Sequence, residues 1–340
     1  MTGGSCPTCK KKAHHQIDWF SELPEHILRR VLSFVDSKTA VQTSLLSRRW
    51  RSVWKVVPAL NFDSKSFNTD SSFRRFISEI LSRRYAAAID QISLEIGHPE
   101  DETDDSDEDD DDIDLPVDAT LYRKLSNYAA SHGGIQRLRL VDHGNGDLWN
   151  HFVRSGSPAA FGVLGTLHLE DCNCKAYCFR SQTRSPSRGR VDPFAGFPNL
   201  RDLTLMGCSW TIDGGDEEDD VCNYSFCLRV SGIQLRNLRM EDFHSLCNVE
   251  IFAPNLESFY YAGQLRRLAF VELQQMLCLD RAYVRILGYH TLNIPENRDS
   301  DEDDDYLVPV DVAVQLLKKL FQGLHTAKTL ELHLDTFKVI

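Results

Sequence analysis

One short hydrophobic phrase recurs along this chain, and a repeat of this kind limits the fold more than any other feature of the sequence. Leucines stand at the first, fourth and sixth positions of the phrase and a cysteine at the ninth, from Leu164 to Cys172 and again from Leu200 to Cys208. Looser copies, with other apolar residues in some positions, begin at residues 89, 135, 235, 256, 279 and 327. Alternate apolar residues suit a short strand with one buried face, so each copy predicts one strand of a parallel array.

The eight copies are unevenly spaced, at intervals of 46, 29, 36, 35, 21, 23 and 48 residues. Regular repeats of this type are about 20–29 residues long, so the longer intervals carry insertions. Apolar residues at helical spacing predict one helix over 71–88, before the first copy, and another around 310–322. The array therefore combines parallel strands with helices.

Three acidic runs account for much of the excess length and for the charge of the chain. The formal net charge is −12, but 23 of the 50 acidic residues lie in the segments 100–114, 216–220 and 299–305. The remaining chain has 27 acidic and 38 basic residues and is therefore basic. Blocks of like charge repel one another and bury little apolar surface, so the three runs predict mobile, solvated loops.

The insertions share a position within the repeats. Each acidic run, and a basic run at 180–190, begins 11 to 20 residues after the start of its copy, beyond the predicted strand. If the strands line one face, all four insertions leave from the same broad side of the array, where repeat proteins often bind partners. One hypothesis is an acidic and basic rim that selects a partner, and the alternative is a set of unrelated solvated loops.

A separate module of three short helices is predicted near the amino terminus. Pro24 can open the first helix, and apolar residues then recur at helical spacing. A second helix is predicted over Thr39–Leu46, and a third from Ser47 through Trp50 and Trp54. Three such helices have little core of their own, so a partner or the following repeats must cover part of their apolar surface.

The residues of this module strongly resemble an F-box, in the version found in plant F-box/leucine-rich-repeat proteins. Order, spacing and residue type all agree over the segment that contains Leu23-Pro24, Ile27-Leu28, Val31-Leu32 and Leu46-Ser47-Arg48-Arg49-Trp50. The recurring phrase is the leucine-rich-repeat signature of the same family, with cysteine where many repeats have asparagine. Only the copies at Leu164 and Leu200 match that signature closely.

The resemblance implies that the module docks on a Skp-type adaptor, which connects it to a cullin–RING ubiquitin ligase. By analogy with the family, six residues of the first helix region are expected at or beside the adaptor: Leu23, Pro24, Ile27, Leu28, Val31 and Leu32. Four others are expected to form the core of the F-box: Leu45, Leu46, Trp50 and Trp54.

The fold implied is an all-helical F-box followed by an irregular α/β leucine-rich-repeat solenoid, with a parallel sheet on its concave face. The expected boundaries are a disordered tail at 1–17, the F-box at 18–60, a linker helix within 61–88 and the array at 89–340, which carries the three acidic insertions. The last predicted strand lies close to residue 340 with no polar capping repeat after it, so either 335–340 caps the array or the array is a short form.

The implied function is substrate recognition within an SCF-type ligase, with the array holding a protein substrate. The sequence contains no phosphate-binding glycine loop, HExxH motif or GxSxG nucleophile elbow, so ubiquitin transfer would belong to the recruited enzymes. The substrate and its binding residues are not identified by the sequence. The alternative is a leucine-rich-repeat scaffold that binds partners without a ligase.

Weaker motifs favour neither a membrane protein nor nucleic-acid binding. No apolar run reaches the 18 or so residues of a membrane-spanning helix, and the first residues lack the apolar core of a secretory signal. We therefore expect the chain in the nucleus or cytoplasm. The basic segment Arg48–Arg51 is already part of the F-box pattern, and nearby acidic runs would repel phosphates.

No cofactor or metal is expected. Cys6 and Cys9 have half of a zinc-site spacing, with His14 and His15 nearby, but the next cysteine is Cys172. Cys172, Cys174 and Cys178 form a second group, in which Cys172 is already explained by the repeat.

We predict that the purified chain contains no stoichiometric zinc, because neither cysteine group has the spacing of a complete four-ligand site. Elemental analysis by mass spectrometry checks this prediction. One zinc ion per chain would contradict it, and replacement of Cys6 and Cys9 by serine would then show which group binds the ion.

Overall fold

The structure is a computed structural model of the chain. It describes residues 23–85, 88–97, 119–143, 148–175, 190–211, 227–245, 248–264, 271–274, 276–287 and 310–335. The predicted tail and the acidic runs lie outside the described residues, as does most of the basic run at 180–190.

The described chain begins with a small helical region. Helix α1 covers Glu25–Leu32 and helix α2 covers Ser37–Gln42, and 3₁₀ turns follow at Thr43–Leu45 and Trp50–Val56. The Asp36 carboxylate caps α2 by accepting a hydrogen bond from the backbone N–H of Thr39 at 2.9 Å. The region has a compact core, formed by Leu28, Leu32, Ala40, Trp50, Val53, Val57 and Ala59.

The second and third helices differ from the sequence prediction. The second helix ends at Gln42 rather than Leu46, and the third is a 3₁₀ segment. The Thr43 hydroxyl donates to the carbonyl of Ala40 at 2.7 Å, a local bond of the kind that competes with helix continuation. The tighter turn that follows changes which side chains face inward.

A nine-stranded parallel sheet follows, and it contains all eight predicted strands. The strands that coincide with the phrases are β2 (Gln91–Ile96), β3 (Arg137–Asp142), β4 (Thr166–Glu170), β7 (Asp202–Met206), β10 (Asn237–Glu241), β13 (Ser258–Gly263), β15 (Arg281–Leu287) and β16 (Thr329–Asp335). They lie side by side in chain order, and every neighbouring pair is parallel. The prediction of one parallel strand for each phrase is confirmed.

The ninth strand, β1 (Ala59–Asp63), comes before the first phrase identified in the sequence and pairs with β2. Val57, Leu60 and Phe62 have the spacing of the phrase. They overlap the end of the F-box pattern and were therefore not identified from the sequence as a further copy of the repeat. The sheet therefore begins within the segment that resembles an F-box.

Helices and short strands connect the members of the sheet. Helix α3 (Asp70–Arg83) and helix α7 (Val310–Leu324) confirm that helices lie where the sequence predicts them, at 71–88 and 310–322. The first ends at Arg83, earlier than predicted, because Arg84 has an extended backbone. Three more helices, α4 (Ala119–Ser131), α5 (Leu148–Ser155) and α6 (Pro158–Phe161), precede β3 and β4. Two smaller parallel sheets are formed by the segments that follow the main strands. The first contains β5 (Asn173–Lys175), β8 (Ser209–Thr211) and β11 (His244–Ser245). The second contains β6 (Arg190–Val191), β9 (Cys227–Ser231), β12 (Asn248–Phe252) and β14 (Val271–Gln274).

The repeated cysteine has a specific place at the end of the strand. Asp171 and Gly207, which follow β4 and β7, have positive φ angles of 55° and 59°, and this turns the chain out of the sheet. The next residues, Cys172 and Cys208, are buried, and the Cys208 thiol contacts the carbonyl of Leu169 on the preceding strand at 3.5 Å. The ninth position of the phrase therefore joins one repeat to the one before it.

The architecture confirms the coarse form of the predicted fold, a helical region followed by a parallel-strand sheet region. One large core lies under the sheet, and Trp54 packs against both this core and the helical core. The curvature of the array and the predicted domain boundaries stay predictions. Among the described helices, none combines the length and apolarity that crossing a membrane requires.

We predict that Leu167→Ala lowers the free energy of unfolding by about 2–5 kcal/mol, because Leu167 lies fully buried in the middle of the sheet and its truncation leaves a cavity. Urea unfolding followed by circular dichroism measures the change. The matched control is Leu277→Ala at an exposed leucine, which should change stability by less than about 0.5 kcal/mol. Equal losses in the two variants would contradict the assignment of the core.

Candidate functional site

Helix α1 presents three different faces. Leu28 and Leu32 point into the helical core and are fully buried. Ile27 and Val31 lie one turn apart on a second face, towards solvent. The third face, which includes Arg30, lies along a cleft beside the main sheet. One short helix therefore packs into the helical core on one face and leaves its two other faces accessible.

The second face is apolar although it is accessible. Ile27 is 37% exposed and Val31 is 41% exposed. Three more large apolar side chains of the helical region, Phe34, Leu45 and Leu46, are exposed to a greater degree. A region this small that exposes so much apolar surface has the character of a protein interaction site.

Four of the six predicted adaptor residues are accessible or partly accessible. Ile27 and Val31 form the apolar face, Pro24 is exposed at the start of α1, and Leu23 is half-buried against the helical core. Leu28 and Leu32, which are expected at or beside the adaptor, are already enclosed by the chain itself, so their place beside the adaptor stays a prediction. A partner could reach them only if α1 left its own core.

The predicted F-box core differs from the structure at two positions. Leu45 is 86% exposed and Leu46 is 71% exposed, so neither belongs to the core. Both lie beyond the end of α2, in and after the 3₁₀ turn, where the helical spacing that predicted their burial no longer applies. Trp50 is buried in the helical core, and Trp54 lies between that core and the core of the sheet.

Arg84 connects the helical region to the array, and sequence reasoning missed it. Its guanidinium donates to the carbonyl of Val57 at 2.5 Å and to the carbonyl of Trp54 at 3.3 Å. Its Nε donates to the hydroxyl of Tyr128, on helix α4 of the array, at 3.3 Å. Burial lowers the pKa of Arg84, while the bond to Tyr128 acts in the opposite direction, and an arginine keeps its charge at neutral pH under such a shift.

Asn61 of β1 makes the second connection. Its side-chain amide donates to the carbonyls of Ser33 and Val35, at 3.0 and 2.9 Å, just after helix α1. Its backbone N–H donates to the Ser37 hydroxyl at 3.1 Å. The first strand of the sheet is therefore bonded directly to the loop between α1 and α2, so the orientation of α1 relative to the sheet is fixed.

The face of the sheet that points away from the core is polar. Arg139 of β3 binds Glu95 of β2 at 3.4 Å and Glu170 of β4 at 2.9 Å, so one arginine links three strands. His168 contacts Glu170 at 3.1 Å, and the His168 bond and Arg139 together outweigh burial and lower the pKa of Glu170. Ion pairs therefore occupy the first half of this face.

The second half carries a stack of rings. The rings of Tyr260 and Tyr283 are parallel within 1°, with centroids 4.7 Å apart, and the imidazole of His333 stacks on Tyr283 at 5.0 Å. The Arg239 guanidinium lies 4.0 Å from the centre of the Tyr260 ring. Burial, followed by the nearby charge of Glu241, raises the pKa of Tyr260, so its hydroxyl remains protonated at neutral pH.

The structure brings no metal site together among the residues it describes. No group of three His, Cys, Asp or Glu side chains in that part of the chain is placed to hold an ion. Cys172 and Cys174 are buried thiols, and a hydrogen bond with Cys208 together with burial raises the pKa of Cys172 well above its usual value. Metals bind the thiolate, which this environment disfavours. Cys6, Cys9, His14, His15 and Cys178 lie outside the described residues.

Comparison with known proteins supports the sequence resemblance. The F-box domain family matches residues 20–60. An FBD-associated F-box protein of Arabidopsis thaliana is 34% identical over 281 residues, which is 82% of this chain and 59% of the relative. An F-box/FBD/LRR-repeat protein of the same plant is 40% identical over 82 residues, which is 24% of this chain and 19% of the relative. F-box/LRR-repeat protein 13, also from this plant, is 40% identical over 72 residues, which is 21% of this chain and 16% of the relative. The matched part thus spans less than two thirds of the length of each relative.

We predict that Arg84→Met lowers the free energy of unfolding by on the order of 3 kcal/mol, because a buried carbonyl, a partly buried carbonyl and a phenol lose their partner. Urea unfolding followed by tryptophan fluorescence measures the change, and two of the five tryptophans, Trp50 and Trp54, belong to the helical core beside Arg84.

The control for this prediction is Arg83→Met. Arg83 is the adjacent arginine of α3, and its exposed side chain pairs with Glu79 at 3.2 Å, so its loss should cost less than about 1 kcal/mol. If the Arg83 and Arg84 variants lose the same stability, Arg84 does not have the connecting role described here.

Proposed function

We propose that this chain, a plant-type F-box/leucine-rich-repeat protein, is the substrate-recognition subunit of an SCF-type cullin–RING ubiquitin ligase. The F-box docks a Skp-type adaptor, and the repeat array binds a protein substrate. Ubiquitin transfer is carried out by the recruited RING and conjugating enzymes, in the nucleus or cytoplasm, so this chain is a non-catalytic receptor.

One observation carries the proposal. The segment that matches the F-box family exposes an apolar face at Ile27 and Val31, although the same helix buries Leu28 and Leu32. An exposed apolar patch beside a complete core has no role in the stability of the module, which is expected if a partner covers it. We place the adaptor on this face, with Leu23 and Pro24 at its edge.

The fixed junction supports the same function. Arg84 and Asn61 bond the helical region to the array, so an adaptor on α1 and a substrate on the array would keep a constant relative position. Holding two reacting proteins close together raises the effective concentration of one near the other, and this is how a receptor without catalytic residues promotes transfer.

We infer that the array is a solenoid with the nine-stranded sheet on its concave side. Strands in chain order, all parallel and each joined to the next, are typical of repeat arrays, and the exposed face of the sheet is polar rather than apolar. Such a face suits reversible binding of a protein substrate, with the ion pairs on β2–β4 and the ring stack of Tyr260 and Tyr283 as its main features.

We predict that Ile27→Ala weakens binding of a purified Skp-type adaptor by about 1–3 kcal/mol, because it removes a buried apolar contact from the interface. Isothermal titration calorimetry with the full chain measures the affinity. Because Ile27 makes little contribution to the core, circular dichroism should show the same fold as the wild type.

Ile233→Ala, at an exposed isoleucine of the array, is the matched control and should leave adaptor affinity unchanged. If folded wild-type chain does not bind the adaptor at all, the ligase function is wrong and a scaffold without a ligase is the better account. If Ile27→Ala and Ile233→Ala bind equally well, the adaptor uses another face.

A further inference from the structure

A cleft of about 720 Å³ separates helix α1 from the beginning of the main sheet. One wall is the third face of α1, where His26, Arg29 and Arg30 lie on successive turns. The other wall comes from the first three strands of the sheet, through Asn61, Gln91 and Arg137 among others. The bonds from Asn61 to Ser33 and Val35 hold the two walls at a fixed distance.

The cleft has an excess of positive charge. Three arginines and a histidine line it, and Asp90 is the only carboxylate among the described lining residues. The polar character also differs from that of a typical small-molecule pocket, because eight of the thirteen lining residues are polar or charged. This composition favours a hydrated, negatively charged occupant over an apolar ligand.

Two of the three arginines of the cleft, Arg30 and Arg137, lack the carboxylate partners that another arginine of the sheet has. Arg139 is held by two glutamates, whereas Arg137 on the same strand donates to the side-chain carbonyl of Gln91 at 3.2 Å. Arg30 lies 4.8 Å from the centre of the exposed Phe34 ring. Within the described part of the chain, neither Arg30 nor Arg137 has a carboxylate within ion-pair distance.

Arg29 adds an unsatisfied donor. Its Nη2 pairs with Glu25 at 2.5 Å, but its Nε is shielded from solvent and donates to no acceptor among the residues that the structure describes. A shielded N–H without an acceptor costs about 1–3 kcal/mol, and because solvent does not reach this Nε, an occupant of the cleft could accept from it only if the side chain moved. Arg29 therefore differs from Arg30 and Arg137, because it already has a carboxylate partner, and the charge available to an occupant comes mainly from the other two arginines.

We propose that this cleft binds an acidic, extended segment of the protein substrate. The carboxylates of the segment pair with Arg30 and Arg137, and Phe34 supplies an apolar contact at the rim. This inference rests on the proposed function, because it names the class of substrate that the receptor would recognise: proteins that present a run of Asp or Glu residues.

The position of the cleft lets substrate and adaptor bind at the same time. The adaptor face, at Ile27 and Val31, and the cleft face are different sides of α1. A substrate segment in the cleft would therefore lie directly beside the F-box and close to the adaptor, without covering the adaptor-binding face.

The test uses the full chain and a fluorescein-labelled peptide of eight glutamates, with binding measured by fluorescence anisotropy in 0.15 M salt. We expect saturable binding, and no binding of an eight-residue glycine–serine peptide. Arg137→Gln and Arg30→Gln should each weaken binding about tenfold, the loss expected for one charge-assisted contact. The double variant Arg30→Gln/Arg137→Gln is compared with Arg75→Gln/Arg83→Gln, which removes two exposed arginines of α3. Both variants lose two positive charges, so the comparison separates the effect of the cleft from that of net charge.

Several results would overturn the proposal. The first is that folded wild type does not bind the glutamate peptide. The second is that Arg75→Gln/Arg83→Gln weakens peptide binding as much as Arg30→Gln/Arg137→Gln does. The third is that equimolar inorganic phosphate displaces the peptide, which would show that the cleft binds free anions. Adaptor binding is measured on the same proteins. Arg137→Gln should keep wild-type adaptor affinity while it loses peptide affinity, whereas failure of the proposed function would appear as loss of adaptor binding in the wild type itself.

Discussion

The guanidinium of Arg84 occupies the position where the helical region meets the array, and the relative placement of the two depends on it. Three of its hydrogen bonds end on residues that are 27 to 44 positions away in the chain, at Trp54, Val57 and Tyr128. Few long side chains can satisfy acceptors in three directions, and the planar, permanently charged group of arginine is one that can. Because Trp54 also packs on both cores, the polar and apolar connections converge at one point. The small helical core therefore does not need to be stable alone.

This junction gives a physical basis for a receptor that performs no chemistry. Helix α1 has one face in its own core, one open to an adaptor and one along the cleft, and its angle to the sheet is set by Asn61. A substrate held by the array, or in the cleft, would then meet the ligase in a constant geometry. Flexible attachment would lower the effective concentration of substrate at the conjugating enzyme, so the function of the array depends on how rigidly it is joined to the F-box.

The sequence predicted the strands well and the junction poorly, for a physical reason. Leu167 and Leu203 are buried because alternate positions of a strand face the core, and this period is visible in a single repeat. The exposure of Leu45 and Leu46 depends on where α2 ends, which a hydroxyl of Thr43 and a 3₁₀ turn decide. Arg84 looks like one more surface arginine after a helix, since its partners are distant in sequence. The burial of Arg84 could not be predicted without the fold. The first strand, β1, could have been predicted, because Val57, Leu60 and Phe62 have the spacing of the repeated phrase.

The most direct test of this account is amide hydrogen exchange of the purified full chain. If the F-box and the array form one packed unit, the slowest amides of α2 and of the 3₁₀ segment Trp50–Val56 should open with the same free energy as the amides of β1 and β2. Comparable protection on both sides of the junction is the predicted result. F-box amides that exchange orders of magnitude faster than those of β2 would show that the F-box opens independently, and would contradict the fixed geometry on which the proposed function rests.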